Sequence, residues 1–189
     1  MIRGYGRSQS PQKSIELFNQ MVATEAEPDG FTYSYLFSGC AKAGMLREGE
    51  QVHGRVLVSG YSSDVFVETN LVNFYAANGG VRYARQVFDD MGERNVVSWN
   101  SMLAAYMRCG NVDGARRIFD DMPERNVVSW TSMISGYARN GKCRQALFLF
   151  NEMRRAHVEP DRAALVPERR HSFSGTHRIR AQVVVRNNP

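Results

Sequence analysis

The sequence predicts an all-α fold, an α-solenoid of stacked helix-turn-helix repeats, and three observations carry that prediction. The heptapeptide ERNVVSW stands twice, at 93–99 and at 124–130, a step of 31 residues. Other positions keep the same step. Phe88, Asp89, Asp90 and Met91 return as Phe119, Asp120, Asp121 and Met122, and loosely as Phe150, Asn151, Glu152 and Met153; Tyr75, Tyr106 and Tyr137 march with them, as do Gly79, Gly110 and Gly141. Within each unit the apolar residues recur at helical spacing. Self-similarity at a fixed period of about 20 to 50 residues marks a stacked-repeat architecture.

Taken in order, residues 1–29 align with the closing part of a 35-residue unit ending in Pro28-Asp29, and form a partial first repeat that lacks its opening six residues. Cuts at the equivalent positions give a long second repeat at 30–64, short third and fourth repeats at 65–95 and 96–126, and a fifth at 127–161, of 35, 31, 31 and 35 residues. Each full unit reads as two short amphipathic helices. Trp99, Met102, Leu103 and Tyr106 form one stripe of a first helix, repeated by Trp130, Met133, Ile134 and Tyr137. Gly110 and Gly141 then stand just past the helix end, where a left-handed residue stops the coil. Ala115, Ile118, Phe119 and Met122 stripe the second helix, matched by Ala84, Val87, Phe88 and Met91 and by Ala146, Leu149, Phe150 and Met153. Pro28, Pro123 and Pro160 punctuate the turns into the following units. One hairpin of this size cannot bury its stripes alone, so the units must stack. Residues 162–189 begin a sixth unit and break it at Pro167; the rest, without an apolar stripe, is expected to be a disordered basic tail, read as the product of a shifted frame or a retained intron.

Charge and chemistry narrow the function. The chain carries 24 Lys and Arg against 19 Asp and Glu. Six arginines and one glutamate lie from residue 162 onward, which leaves 18 of each sign in 1–161, a neutral array. Bulk charge therefore gives the repeats no affinity for nucleic acid, and any such binding must rest on placed residues. No run of 18 apolar residues exists to span a membrane, and no transit peptide is visible. Cys40, Cys109 and Cys143 are odd in number, far apart and without a CxxC, which reads as reduced thiols and no metal site. Cys40 takes the slot of Tyr75 in the stripe and His53 that of Phe88, so both are expected to be packed, while His157 falls in a turn. Trp99 and Trp130 are expected in the core. With no His-x-Glu and CxxC pairing, no catalytic triad, no P-loop and no paired carboxylates, the chain reads as a non-enzyme that needs no cofactor.

The unit edges EPDGFTY, SSDVFV, ERNVVSW and EPDRAA, with the stretches VVSWNSMLAAYMRCGNVDGARRIFDDMPERN and GFTYSYLFSGCAKAGMLREGEQVHGRVLVSGYSSD, resemble pentatricopeptide-repeat proteins, and the mixed lengths resemble the land-plant subclass that alternates repeat types. The resemblance covers residues 1–161. It implies sequence-specific binding of single-stranded RNA, one base per repeat, in organellar RNA processing or editing in the mitochondrion or chloroplast, with other organellar RNA-processing proteins as further partners. It also implies the readers: a first-turn residue paired with the last residue of the unit. Here these are Ser34 with Asp64, Thr69 with Asn95, Asn100 with Asn126, and Thr131 with Asp161; Asp29 is the surviving half of a fifth pair. The implied core is G-A-C/U-G, from 5′ to 3′. Taken singly, the Asx residues also read as helix caps, and the two roles are compatible. Phe31, Phe66, Val97 and Val128, second in each unit, suit either sandwiching of bases or packing between repeats. Two rivals stay open: a helical scaffold for protein–protein interaction, and a non-functional truncated gene product.

Overall fold

The computed structural model describes residues 11–160, and all of their regular structure is helical: α1 Pro11–Ala23, α2 Gly30–Ala43, α3 Leu46–Val58, α4 Val65–Ala77, α5 Val81–Asp90, α6 Val96–Arg108, α7 Val112–Asp121, α8 Val127–Arg139 and α9 Cys143–Arg155. The expected disordered tail, the broken sixth unit and Asp161 lie outside the described residues.

Local chemistry sets the ends of each helix. Asp29, Asp64, Asn95 and Asn126 cap α2, α4, α6 and α8, their side-chain oxygens accepting backbone N–H groups that have no partner within the helix. Past these helices the chain reverses through Gly44, Gly79, Gly110 and Gly141, whose φ of 68°, 79°, 77° and 72° put them in the left-handed region that glycine enters without strain. A second fold-back closes the short units. Arg94 donates to the carbonyls of Phe88 and Asp89 at 2.7 and 2.8 Å, and Arg125 to those of Phe119 and Asp120 at 2.8 and 2.9 Å, so each caps the C-terminus of the preceding helix.

The helices form two layers. α2, α4, α6 and α8 pack on one another in sequence, while α3, α5, α7 and α9 each lie against the first helix of their own unit. α1, α3, α5 and α7 also touch the first helix of the next unit: Phe88 meets Trp99 edge-on at 4.8 Å between ring centroids, and Phe119 meets Trp130 at 5.0 Å. The first helices form a continuous row, while the second helices make their contacts chiefly with first helices rather than with one another.

Burial differs from the single stripe expected. The first helices are sandwiched by neighbours on two sides and a partner helix on a third, so α4 buries Val67, Glu68, Thr69, Leu71, Val72, Phe74, Tyr75 and Ala76 nearly all round. The second helices keep the narrow stripe: Ala84 and Phe88 in α5, Ala115, Ile118 and Phe119 in α7. Trp130 is buried, whereas Trp99 is only partly so and packs at the core's margin. Cys40 is buried, and half-buried His53 shares a 2.9 Å hydrogen bond with the Tyr75 hydroxyl. His157 stands in a turn at φ 56°. Among the described residues no helix is long and apolar enough to cross a membrane.

Candidate nucleic-acid interface

The last residue of one unit is the N-cap of the next unit's first helix, and this double position builds the candidate site. The cap holds the Asx side chain at the seam between two first helices, within reach of a first-turn residue one helix back. At the seam of α4 and α6, Asn95 Oδ1 accepts the N–H groups of Val97 and Ser98, both at 3.0 Å. Its amide is thereby turned so that Nδ2 donates to Thr69 Oγ1 at 2.9 Å. The Thr69 hydroxyl in turn donates to the Val65 carbonyl at 2.6 Å. What stays open is one N–H of Asn95 and one lone pair of Thr69, a donor beside an acceptor.

At the seam of α6 and α8 the arrangement is tighter on the cap. Asn126 Oδ1 accepts the Ser129 N–H at 3.0 Å and the Ser129 hydroxyl at 3.1 Å, while the Ser129 oxygen accepts the Asn126 N–H at 3.3 Å. Asn100 Nδ2 points at the same oxygen from 3.4 Å. Asn126 is exposed, and its NH2 group is left facing outward. Asn100 Oδ1 is buried with no partner.

The pair Ser34 and Asp64 is not joined by a hydrogen bond. Asp64 Oδ1 accepts from Phe66 and Val67 at 2.9 and 3.0 Å, and Oδ2 lies beside Gly30, where an added Cβ would sit 3.3 Å from it. Ser34 is buried, and its Oγ has no hydrogen-bond partner. An unbonded buried hydroxyl is costly unless a ligand completes it. Asp29 Oδ1 accepts the Thr32 hydroxyl at 2.6 Å and its N–H at 2.7 Å, and these two bonds hold the Asp29 carboxyl below the usual carboxylate range. Thr131 is buried in the first turn of α8; its proposed partner Asp161 lies outside the described residues.

Phe31, Phe66, Val97 and Val128 stand 61, 49, 55 and 52% exposed, a run of apolar surface at the same position of four successive helices. Phe31 and Phe66 meet edge-on at 5.7 Å across the seam between their units, so they pack between repeats and still show half their surface to solvent.

Glu68, next to Thr69, is nearly buried, and burial, then Asp64 and Asp90, push its carboxyl above the usual range against the pull of Arg94. Sequence reasoning passed over Glu68 and also the hydroxyls of Thr32, Ser98 and Ser129. The pattern Asx-x-x-Ser/Thr at 29–32, 95–98 and 126–129 is the signal that points to them. Among the described residues no group of three or more His, Cys, Asp or Glu is placed to hold a metal ion.

Comparison with known proteins places this architecture. The model described as "PPR repeat family" matches residues 1–42, 94–128 and 125–164, and that described as "PPR repeat" matches 31–62 and 69–96. In Arabidopsis thaliana, pentatricopeptide repeat-containing protein At3g22690 is 44% identical over 108 residues, 57% of this chain and 13% of that protein. The mitochondrial At3g24000 protein is 38% identical over 106 residues, 56% of this chain and 17% of that one. The chloroplastic At1g11290 protein is 38% identical over 106 residues, 56% and 13%. The chain thus spans less than a fifth of the length of these relatives. The crystal structure of the maize protein PPR10 superposes on 86% of this chain and 24% of its own with a TM-score of 0.66 at 25% identity. The same maize protein in complex with an 18-nt psaJ RNA element gives 0.74 at 20% identity, over 86% of this chain and 26% of its own. The family matches cover more than half of the sequence: the chain belongs to the pentatricopeptide (PPR) repeat family.

Proposed function

We propose that the chain binds single-stranded RNA and reads one base per unit, with the first-turn and last residues at each seam contacting the base's Watson–Crick edge. The observation that carries this is the Thr69–Asn95 pair, whose mutual bond leaves a donor and an acceptor side by side. Which bases fit depends on which group meets the ring nitrogen: with the Asn95 N–H placed there, adenine and cytosine, whose ring nitrogen accepts and whose amino group donates to Thr69, are complementary, while guanine and uracil bring a ring N–H against a donor. Thr69 with Asn95 thus suits an amino base, and the family pattern selects adenine. Asn100 with Asn126 places the outward NH2 of Asn126 in the same position, which suits the accepting ring nitrogen of cytosine among the pyrimidines, with the unpaired Oδ1 of Asn100 buried behind it. Asp64 offers only acceptors, which suits the N–H of a keto base, with the unpaired Ser34 hydroxyl as donor to its carbonyl. For Thr131 with Asp161 the same preference is carried by the family resemblance alone. The exposed Phe31, Phe66, Val97 and Val128 supply apolar platforms between successive bases.

The maize PPR10 complex, whose RNA is named in its own description, and the organelle names of the Arabidopsis relatives support an organellar role in RNA processing or editing, in the mitochondrion or chloroplast. In this role the chain recognises RNA and leaves chemistry to partners. A titration at fixed salt tests the reading. The RNA carries an accessible GACG core and is compared with a scrambled core and with GAUG. The wild-type chain prefers GACG. Asn126→Asp replaces the outward NH2 with an acceptor and shifts the preference to GAUG by about tenfold, as expected for one good edge contact. Equal binding of all three RNAs by both proteins would remove the reading.

A further inference from the structure

We infer that Ser129 is a positioning residue for base choice, a specificity determinant that touches no base itself; this rests on the base reading proposed above. A carboxamide has two nearly isosteric ends, and which of them faces the RNA decides whether Asn126 donates or accepts. A carboxylate has no such ambiguity. The structure resolves it for Asn126 with two donors from one residue: the Ser129 N–H at 3.0 Å and the Ser129 hydroxyl at 3.1 Å both close on Oδ1. A flip of the amide would set NH2 against the fixed Ser129 N–H and break the bond from the Ser129 hydroxyl, whose oxygen already accepts the Asn126 N–H. The NH2 end is therefore turned outward, where it can meet the ring nitrogen of cytosine and is mismatched to the N–H of uracil.

The other seams give this role its contrast. Ser98 turns its hydroxyl to the Asn95 backbone carbonyl at 2.8 Å, and there the amide is oriented from the far side by Thr69 Oγ1. The Asp64 cap, whose two oxygens are alike, is followed by Val67, with no hydroxyl at all. The seam of Asn100 and Asn126 has only a 3.4 Å contact on its far side, so the hydroxyl of Ser129 supplies what Thr69 supplies at the seam before it. Val67 also shows that the position folds without a hydroxyl. Ser129 belongs to the unit 127–161, yet it tunes the base read by the unit 96–126.

The test measures the affinity of the full chain for GACG and GAUG RNAs in Ser129→Ala, Ser129→Thr and Asn126→Asp. The ratio of the two affinities is read, because partial unfolding weakens both RNAs alike and leaves the ratio untouched. Ser129→Ala is expected to lower the preference for cytosine over uracil about fivefold, the effect of one lost neutral hydrogen bond, and Ser129→Thr to restore it. An unchanged ratio in Ser129→Ala, with Asn126→Asp still switching to uracil, overturns the role of Ser129 and leaves base reading intact. A ratio of one in the wild type, unmoved by Asn126→Asp, overturns both.

Discussion

At the scale of single residues, one Asx side chain performs two tasks. Asn95 satisfies two N–H groups of α6 with Oδ1 and keeps Nδ2 for its partner across the seam. In the proposed reading, capping and base contact do not compete at Asn95, because the cap uses the acceptor end and leaves the donor end. Burial sorts the cysteines just as sharply. Burial, with Glu48 adding to it, pushes the Cys40 thiol up to about 11, while Cys109 and Cys143 are exposed. Since the thiolate is the nucleophile, iodoacetamide at pH 8 is expected to label Cys109 and Cys143 and to spare Cys40 until denaturant is added. Peptide mapping of the labelled chain checks this, and rapid labelling of Cys40 in the native chain would contradict the packing. Much at this scale was legible beforehand. The capping positions, the buried Cys40 and the left-handed glycines follow from residue type and period alone. The direction of the Asn126 amide was not, because it depends on the angle at which Ser129 and Asn100 approach from two different helices.

At the scale of elements, the repeated ERNVVSW has a physical account. Its Asn caps the coming helix, its first Val joins the core margin and its second stays exposed, its Ser closes on the cap, and its Trp packs on the ring behind. The Arg is the member that helical periodicity did not explain. Arg125 lies outside any helix and is exposed, yet it forks onto two terminal carbonyls of α7 with its guanidinium 4.8 Å from the Phe119 ring centre; Arg94 does the same at 5.0 Å from Phe88. The ring is thus held by the guanidinium of the fold-back and by the edge of Trp130. Removing Arg125 leaves two helix-end carbonyls to water and unpins the loop that carries Asn126. Arg125→Ala is expected to cost about 1–2 kcal/mol in urea unfolding, and Arg125→Lys to recover less than half, because an ammonium cannot reproduce the two-pronged donor. Full recovery by Lys would reduce the interaction to charge alone. Sequence periodicity finds helices and their faces; it is blind to a loop side chain that reaches back six residues, which only the repetition of the whole word hints at.

At the scale of the whole molecule, the stability of a stack is the sum of what each unit holds and what each seam adds. The seams here are narrow and depend on close approach of the first helices. Gly136 in α8 faces Met107 in α6, where an added Cβ would lie 2.5 Å from Cγ and 3.0 Å from Cβ of the methionine. These are the near atoms of the side chain, next to a backbone whose Met107 carbonyl also accepts the Asn140 amide at 3.1 Å from the following unit. A rotamer change cannot clear the Cβ contact, so the helices must move apart, and both the packing and the cross-seam hydrogen bond weaken together. Gly136→Ala is therefore expected to behave unlike an ordinary helix glycine, where alanine stabilises by up to about 1 kcal/mol. It should destabilise by about 1–3 kcal/mol, and the loss should fall on the coupling between units more than on either unit. In urea the transition then broadens and its slope falls, since units that no longer share a tight seam unfold over different ranges. The control is Gly54→Ala in α3, where a Cβ meets nothing within 4 Å; that change should raise the midpoint and leave the slope unaltered. If Gly136→Ala shifted the midpoint with an unchanged slope, the seam would be a local contact and the 11–160 stack would be one indivisible cooperative unit.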